Sequence, residues 1–238
     1  MGIEVRLMVE GEYACYTRPE FKVERVSYDV PPVSAIEGLL KSIYWKPAFR
    51  YVVDKIIVFN PIRFTNIRRN ECKSKVLLSS MQAQMRGEDK SPVIYTENDR
   101  TQRTAMILKN VKYGIEFHIE MTGIKSERSD DTIDKHFYIL HRRLEKGQWF
   151  RQPCLGCSEF PARKIELVKE FDLSRVAPEN MGDKDLGFML YGLNFKGGGL
   201  PVNGDWENPV FSNLADSVYY RPHIVDGVID VNKYRGMM

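Results

Sequence analysis

Nowhere in the chain do apolar residues run on for the roughly 20 positions that a membrane-crossing helix needs. The opening stretch MGIEVRLMVEGEY also lacks the unbroken apolar core of a signal peptide. Arg6 stands where an N-myristoylation signal prefers Ser or Thr, so Met1-Gly2 reads as an ordinary start. These absences set the expectation of a cytoplasmic protein with no membrane partner. Cysteine is scarce. Of Cys15, Cys72, Cys154 and Cys157, only the last two have ligand spacing, and no second Cys or His pair completes a zinc site. No metal site and no cofactor are expected. The Lys196-Gly197-Gly198-Gly199-Leu200-Pro201 loop lacks the pattern of a phosphate cradle and its following helix, and reads as a turn. There is no G-x-S-x-G, no H-E-x-x-H and no dinucleotide fingerprint, which weakens serine-hydrolase, zinc-protease and dehydrogenase readings.

What is present is an average globular composition, 43% hydrophobic and 28% charged over 238 residues, enough for one large domain or two unequal ones. The 35 basic residues exceed the 32 acidic ones by only three, so distribution matters more than total. Arg63, Arg68, Arg69, Lys73 and Lys75 form one basic group; His141, Arg142, Arg143 and Lys146 form another. Either group alone is also what an ordinary solvated face looks like.

Periodicity gives the fold. Ile3, Val5, Leu7 and Val9 alternate with polar residues as in a half-buried strand. Ile36, Leu39, Leu40 and Ile43 follow helical spacing over 33–45, with Ser34 available as a cap, Tyr44 in the last turn and Pro47 as the stop. The β-branched and aromatic run 51–59 predicts a second strand, and 71–100, without any period, reads as a long insertion. Tyr113, Ile115, Phe117, Ile119 and Met121 define one face of a strand over 112–121. The stripe Ile133, Phe137, Leu140 and Leu144 predicts a helix over 131–146, closed by Gly147, and Lys164–Val168 adds a strand.

The order is that of an α+β, ferredoxin-like domain, related to the RNA-recognition fold, over 1–172, with a small β-rich domain over 173–238. Lys135-His136 lies one turn inside the second helix, behind caps available at Asp130, Asp131 and Thr132, where the helix dipole favours an anion. With Phe137 facing the core, both residues are expected at the border and exposed side of the apolar stripe. A solvated helix start reads the same way. His118, His141 and His223 are expected to be structural or solvent-facing.

The runs Glu12-Tyr13-Ala14-Cys15-Tyr16-Thr17-Arg18-Pro19-Glu20 and Glu24-Arg25-Val26-Ser27-Tyr28-Asp29-Val30-Pro31 resemble the opening signature of one CRISPR-associated family. It is the Cas-five family of subtype I-C, a member of the repeat-associated RAMP group. The resemblance continues through Ser42-Ile43-Tyr44-Trp45-Lys46-Pro47, Pro61-Ile62-Arg63-Phe64, Arg68-Arg69-Asn70-Glu71, Gln102-Arg103, Lys135-His136, Arg142-Arg143-Leu144 and Gln152-Pro153-Cys154-Leu155-Gly156-Cys157. It covers most of residues 10–165 and is looser beyond.

The resemblance implies an endoribonuclease that cuts precursor CRISPR RNA beside its repeat hairpin. It also implies that the protein stays on the 5′ handle within the interference complex, beside backbone and large subunits. The family's catalytic Tyr, Lys and His fall on Tyr44, Lys135 and His136. Arg18, Arg63, Arg68, Arg69, Arg103, Arg142 and Arg143 are the expected RNA-binding set. Cleavage would use the 2′-OH as nucleophile and leave a 2′,3′-cyclic phosphate and a 5′-OH, with no metal required in principle. A subunit that grips the handle without cutting is the alternative, and a duplex-DNA-binding factor of the same system is a third.

Overall fold

The computed structural model describes residues 4–21, 23–89, 92–123, 131–198, 200–205 and 207–237. Ile3, Asp130 and Gly199, named above, lie outside the described residues. In chain order the elements are β1 (Val5–Ala14), α1 (Val33–Ile43), β2 (Phe49–Val58), β3 (Phe64–Cys72), α2 (Leu78–Met85), β4 (Arg100–Met121), α3 (Ile133–Glu145), β5 (Lys164–Leu167), β6 (Asp183–Asp185), β7 (Met189–Phe195), β8 (Ala215–Tyr220), β9 (His223–Val225) and β10 (Val228–Asp230). Among the described residues, no helix is long and apolar enough to cross a membrane.

This is a mixed α/β architecture around a mostly antiparallel sheet. The order in the main sheet is β5-β1-β4-β2-β10-β9-β6, with β3 paired to β4 off that path, while β7 and β8 form a separate ribbon. Each of the central ladders, β1 with β4, β2 with β4 and β1 with β5, is antiparallel. The period of two has its physical cause here: Val5, Leu7 and Val9 of β1 and Tyr113, Ile115, Phe117 and Ile119 of β4 point into one core. The amphipathic faces of α1 (Ile36, Leu39, Leu40, Ile43) and α3 (Leu140, Leu144) close that core. The opposite face is polar at its centre. There Glu116, buried on β4, is held by Arg6 at 3.0 Å and Lys55 at 2.6 Å, so the charge is compensated where water is scarce.

Residues 173–238 were expected to form a β-rich domain of their own. They do supply strands, but β6, β9 and β10 continue the main sheet, and Met189, Tyr220, Ile224, Ile229 and Val231 pack in the same core as β1 and α1. These strands are mostly three residues long, too short to bury a separate core.

The 71–100 segment is a second departure. It contains the end of β3, the helix α2 and the first residue of β4, and it caps a two-stranded arm. Phe64 to Cys72 pair with Leu108 back to Arg100, so β4 runs 22 residues instead of the ten expected. Helix boundaries shift as well. Helix α1 starts on Pro32, whose carbonyl accepts from the Ala35 and Ile36 amides, so Ser34 lies inside the helix and caps nothing.

Gly156 joins the turn after α3 to the end of β1. It has φ +88°, and an added Cβ would lie 2.0 Å from the Cys15 carbonyl oxygen. Left-handed backbone and a backbone clash together make Gly156→Ala cost more than about 3 kcal/mol, a fall in Tm of roughly 6–12 °C. Thermal unfolding followed by circular dichroism measures it, and an unchanged Tm would contradict this packing.

Candidate active site

The C-terminal end of α1 and the N-terminal half of α3 meet over the end of the sheet. Helix α1 stops at Ile43, and Tyr44 takes extended backbone, φ −156° and ψ 133°, as its C-cap. Pro47 explains the stop, because residues approaching a proline are driven out of the helical region. The Tyr51 hydroxyl donates to the Tyr44 carbonyl, and Arg143 donates to the carbonyl of Ile43 at 2.8 Å. The backbone that carries Tyr44 is therefore held from two elements.

Helix α3 is capped by Thr132, whose hydroxyl accepts from the Lys135 amide at 3.3 Å. That cap fixes the register of the first turn. It turns His136 inward, 1% exposed, against the Phe49 ring at 4.8 Å, and leaves Lys135 half-buried. The expectation for His136 was a border position. The structure corrects it: His136 precedes Leu140 and Leu144 at four-residue intervals on the buried side of α3. Phe137 is only partly buried.

Here the three expected residues are near neighbours. The Tyr44 hydroxyl and His136 Nδ1 are 2.8 Å apart, although 92 positions separate them in sequence. Asp131, just before the helix, has Oδ1 3.5 Å from His136 Nε2 and 3.5 Å from Lys135 Nζ. The Arg143 guanidinium lies 5.1 Å over the Tyr44 ring. Burial pushes the Tyr44 phenol above its ordinary value, Asp131 adds to the rise, and Arg143 and Lys135 oppose it. Tyr44 is thus a hydroxyl in this site, not a phenolate. From the sequence, Asp131 is legible only as a cap. Its four- and five-residue spacing to Lys135 and His136 was the available signal for more.

The expected RNA-binding arginines divide into groups. Arg143 belongs to the Tyr44 cluster, and Arg142, one residue earlier on α3, is exposed. Arg18 pairs with Asp29 at 3.1 Å and stacks on Tyr28 at 4.6 Å, which ties down the chain between β1 and α1. Arg63 is exposed and lies 3.6 Å from Glu179. On the arm, Arg68 is exposed, whereas Arg69 is paired with Glu159 and Glu71, and Arg103 with Glu71 at 3.2 Å. Those carboxylates were overlooked in the sequence because they are distant from the arginines or hidden in the same basic run.

Cys157 faces Arg25, whose guanidinium donates to its sulfur at 3.4 Å, and Cys154 lies 3.8 Å from the Gly156 carbonyl. His118 bridges Asp54 and Glu120 at 2.8 and 3.3 Å, a partly buried link between β2 and β4.

The family model of the CRISPR-associated protein Cas5d matches residues 4–232, nearly the whole length. The chain belongs to the CRISPR-associated Cas5 family. A relative from Mannheimia succiniciproducens named CRISPR pre-crRNA endoribonuclease Cas5d is 42% identical over 97% of this chain and 96% of its own. Another of the same name from Thermus thermophilus is 37% identical over 80% of this chain and 73% of its own. Among solved structures, a CRISPR-associated protein superposes with a TM-score of 0.61 at 22% identity, covering 96% of this chain and 91% of its own. That likeness shows a shared fold.

Proposed function

We propose that this chain is a metal-independent endoribonuclease that cuts precursor CRISPR RNA at the repeat hairpin by attack of a 2′-OH. The observation that carries the reading is the 2.8 Å contact between the Tyr44 hydroxyl and His136 Nδ1, with Lys135 and Asp131 beside it. The names of its relatives point the same way.

In this reading Tyr44, less buried than His136, meets the attacking 2′-OH. It accepts that proton while handing its own to His136 Nδ1, so no free phenolate forms and the raised phenol is no obstacle. Asp131 orients the imidazole and balances the imidazolium that results. Lys135 neutralises the extra charge on the pentacoordinate phosphate, and Arg143 holds Tyr44 in place. The 5′ oxygen leaves and takes up a proton from water, and the imidazolium returns its own to solvent, giving a 2′,3′-cyclic phosphate and a 5′-OH. A cleavage assay on purified repeat RNA tests this directly.

The near-complete burial of His136 favours one competing reading, a subunit that grips the handle without cutting. A repeat RNA left intact by the purified protein would select it. In either case the protein would remain on the 5′ handle beside the backbone and large subunits of a type I-C complex, in the cytoplasm. Duplex DNA is a further ligand of this reading, tested by competition against repeat RNA. The strand order β5-β1-β4-β2 with two helices on one face supports a ferredoxin-like core.

Exposed arginines should supply the salt-dependent part of RNA affinity. Arg68→Ala is expected to weaken binding, lowering the slope of log affinity against log salt by about 0.7–0.9, while the rate at saturating RNA stays as it was. Arg69→Ala should change the slope less, since Glu159 and Glu71 already neutralise it. Filter binding across a salt series measures both, and equal slopes for Arg68→Ala and the unaltered protein would contradict the assignment.

A further inference from the structure

Two aromatic side chains beside the Tyr44 cluster are left exposed. Trp45 follows Tyr44 directly and is 49% exposed, and Phe150 is 85% exposed. In extended backbone successive side chains point to opposite sides, so the turn that sends Tyr44 inward to His136 sends Trp45 outward. Phe150 is not on a loose loop. Its amide donates to the Ile43 carbonyl at 3.3 Å, and the next amide, of Arg151, donates to the Ser42 carbonyl at 3.0 Å. The Ile43 carbonyl also takes the hydrogen bond from Arg143, the residue that lies over Tyr44. The backbone of both residues is thus anchored within two residues of Tyr44, yet Trp45 stays about half in water and Phe150 mostly so, and they gain less of the burial energy that usually fixes aromatic residues.

The chemistry proposed above needs such rings. Attack by a 2′-OH requires the leaving 5′ oxygen to lie opposite it, in line through phosphorus, and a stacked A-form strand does not present that geometry. The two nucleotides flanking the cut must be splayed apart, which costs the stacking between their bases. An exposed aromatic face returns that stacking, and does so for any base.

We propose that Trp45 and Phe150 form a nucleobase clamp, each stacking on one of the two bases that flank the scissile phosphate and holding the strand open over Tyr44. The inference rests on the catalytic reading for its location, though not for its measurement. The ligand is single-stranded RNA at the foot of the hairpin, and the clamp acts by positioning it.

Binding is measured with a repeat hairpin carrying a single 2′-deoxy nucleotide at the cut, so that affinity is read whether or not the protein cleaves. Trp45→Ala and Phe150→Ala should each weaken binding about tenfold, with unchanged melting curves, while Trp45→Phe and Phe150→Tyr retain most of the affinity. The same series is repeated with an abasic site at each position around the cut. At one position the Trp45→Ala loss should vanish, and at the neighbouring position the Phe150→Ala loss. Affinity unchanged by both alanine variants would overturn the clamp, as would equal losses on intact and abasic RNA. Intact RNA affinity with failed assembly of the larger complex would assign the rings to a protein partner instead, which also overturns it. If His136→Ala cleaved normally while the abasic pattern held, the catalytic reading alone would fall.

Discussion

His136→Ala is expected to slow RNA cleavage by about 10²- to 10⁴-fold, the usual range for losing a positioned proton acceptor, with affinity for the repeat unchanged. The imidazole is 1% exposed and touches Phe49, so it is placed to take a proton through Tyr44 and not to hold RNA. Its removal also opens a cavity in the core, so loss of activity must be separated from loss of fold. His136→Asn separates them. Its amide oxygen offers Tyr44 an acceptor at nearly the Nδ1 position but cannot take up a proton at neutral pH. This variant should keep a near-native melting temperature and still be slow. Recovery of the native rate in His136→Asn would contradict the proton-transfer role.

The pH profile has a stated direction too. The Tyr44 phenol is raised by burial, so its ionisation sets no alkaline limit at or below its ordinary value near 10. Single-turnover rates across pH check this, and an alkaline loss removed by Tyr44→Phe would oppose this account.

The elements that the sequence made legible are those with one face in the core. In β1, the second half of β4, α1 and α3, apolar residues recur at the period of the backbone, because burial on one side demands it. Strand β3 escaped notice for the converse reason. In Phe64–Cys72 partly buried and exposed positions interchange without any fully buried residue, so pairing is held by the ladder and by ion pairs such as Arg103 with Glu71. The short strands β6, β9 and β10 offer too few residues for a period to show.

The site was legible to a different degree. No spacing rule connects Tyr44 to His136 across two helices, and only family resemblance put them together. The hydrogen bond that joins them depends on α1 ending where Pro47 forces it to and on Thr132 fixing the first turn of α3. Periodicity also misplaced His136, since a histidine on the buried side of a helix looks polar to any pattern of apolar residues.

Substrate chemistry supplies the most direct measurement of the central claim. The proposed reaction uses the RNA's own 2′-OH as nucleophile, so replacing that one hydroxyl by hydrogen at the cut should abolish cleavage outright, while the same RNA binds as tightly as before. On unmodified RNA in excess chelator, cleavage should proceed at the same rate and end in a 2′,3′-cyclic phosphate and a 5′-OH, read by mass spectrometry of the fragments. Cleavage of the 2′-deoxy substrate at that position, or chelator-sensitive fragments bearing a 5′-phosphate and a 3′-OH, would contradict attack by the 2′-OH and with it the roles given to Tyr44, Lys135 and His136.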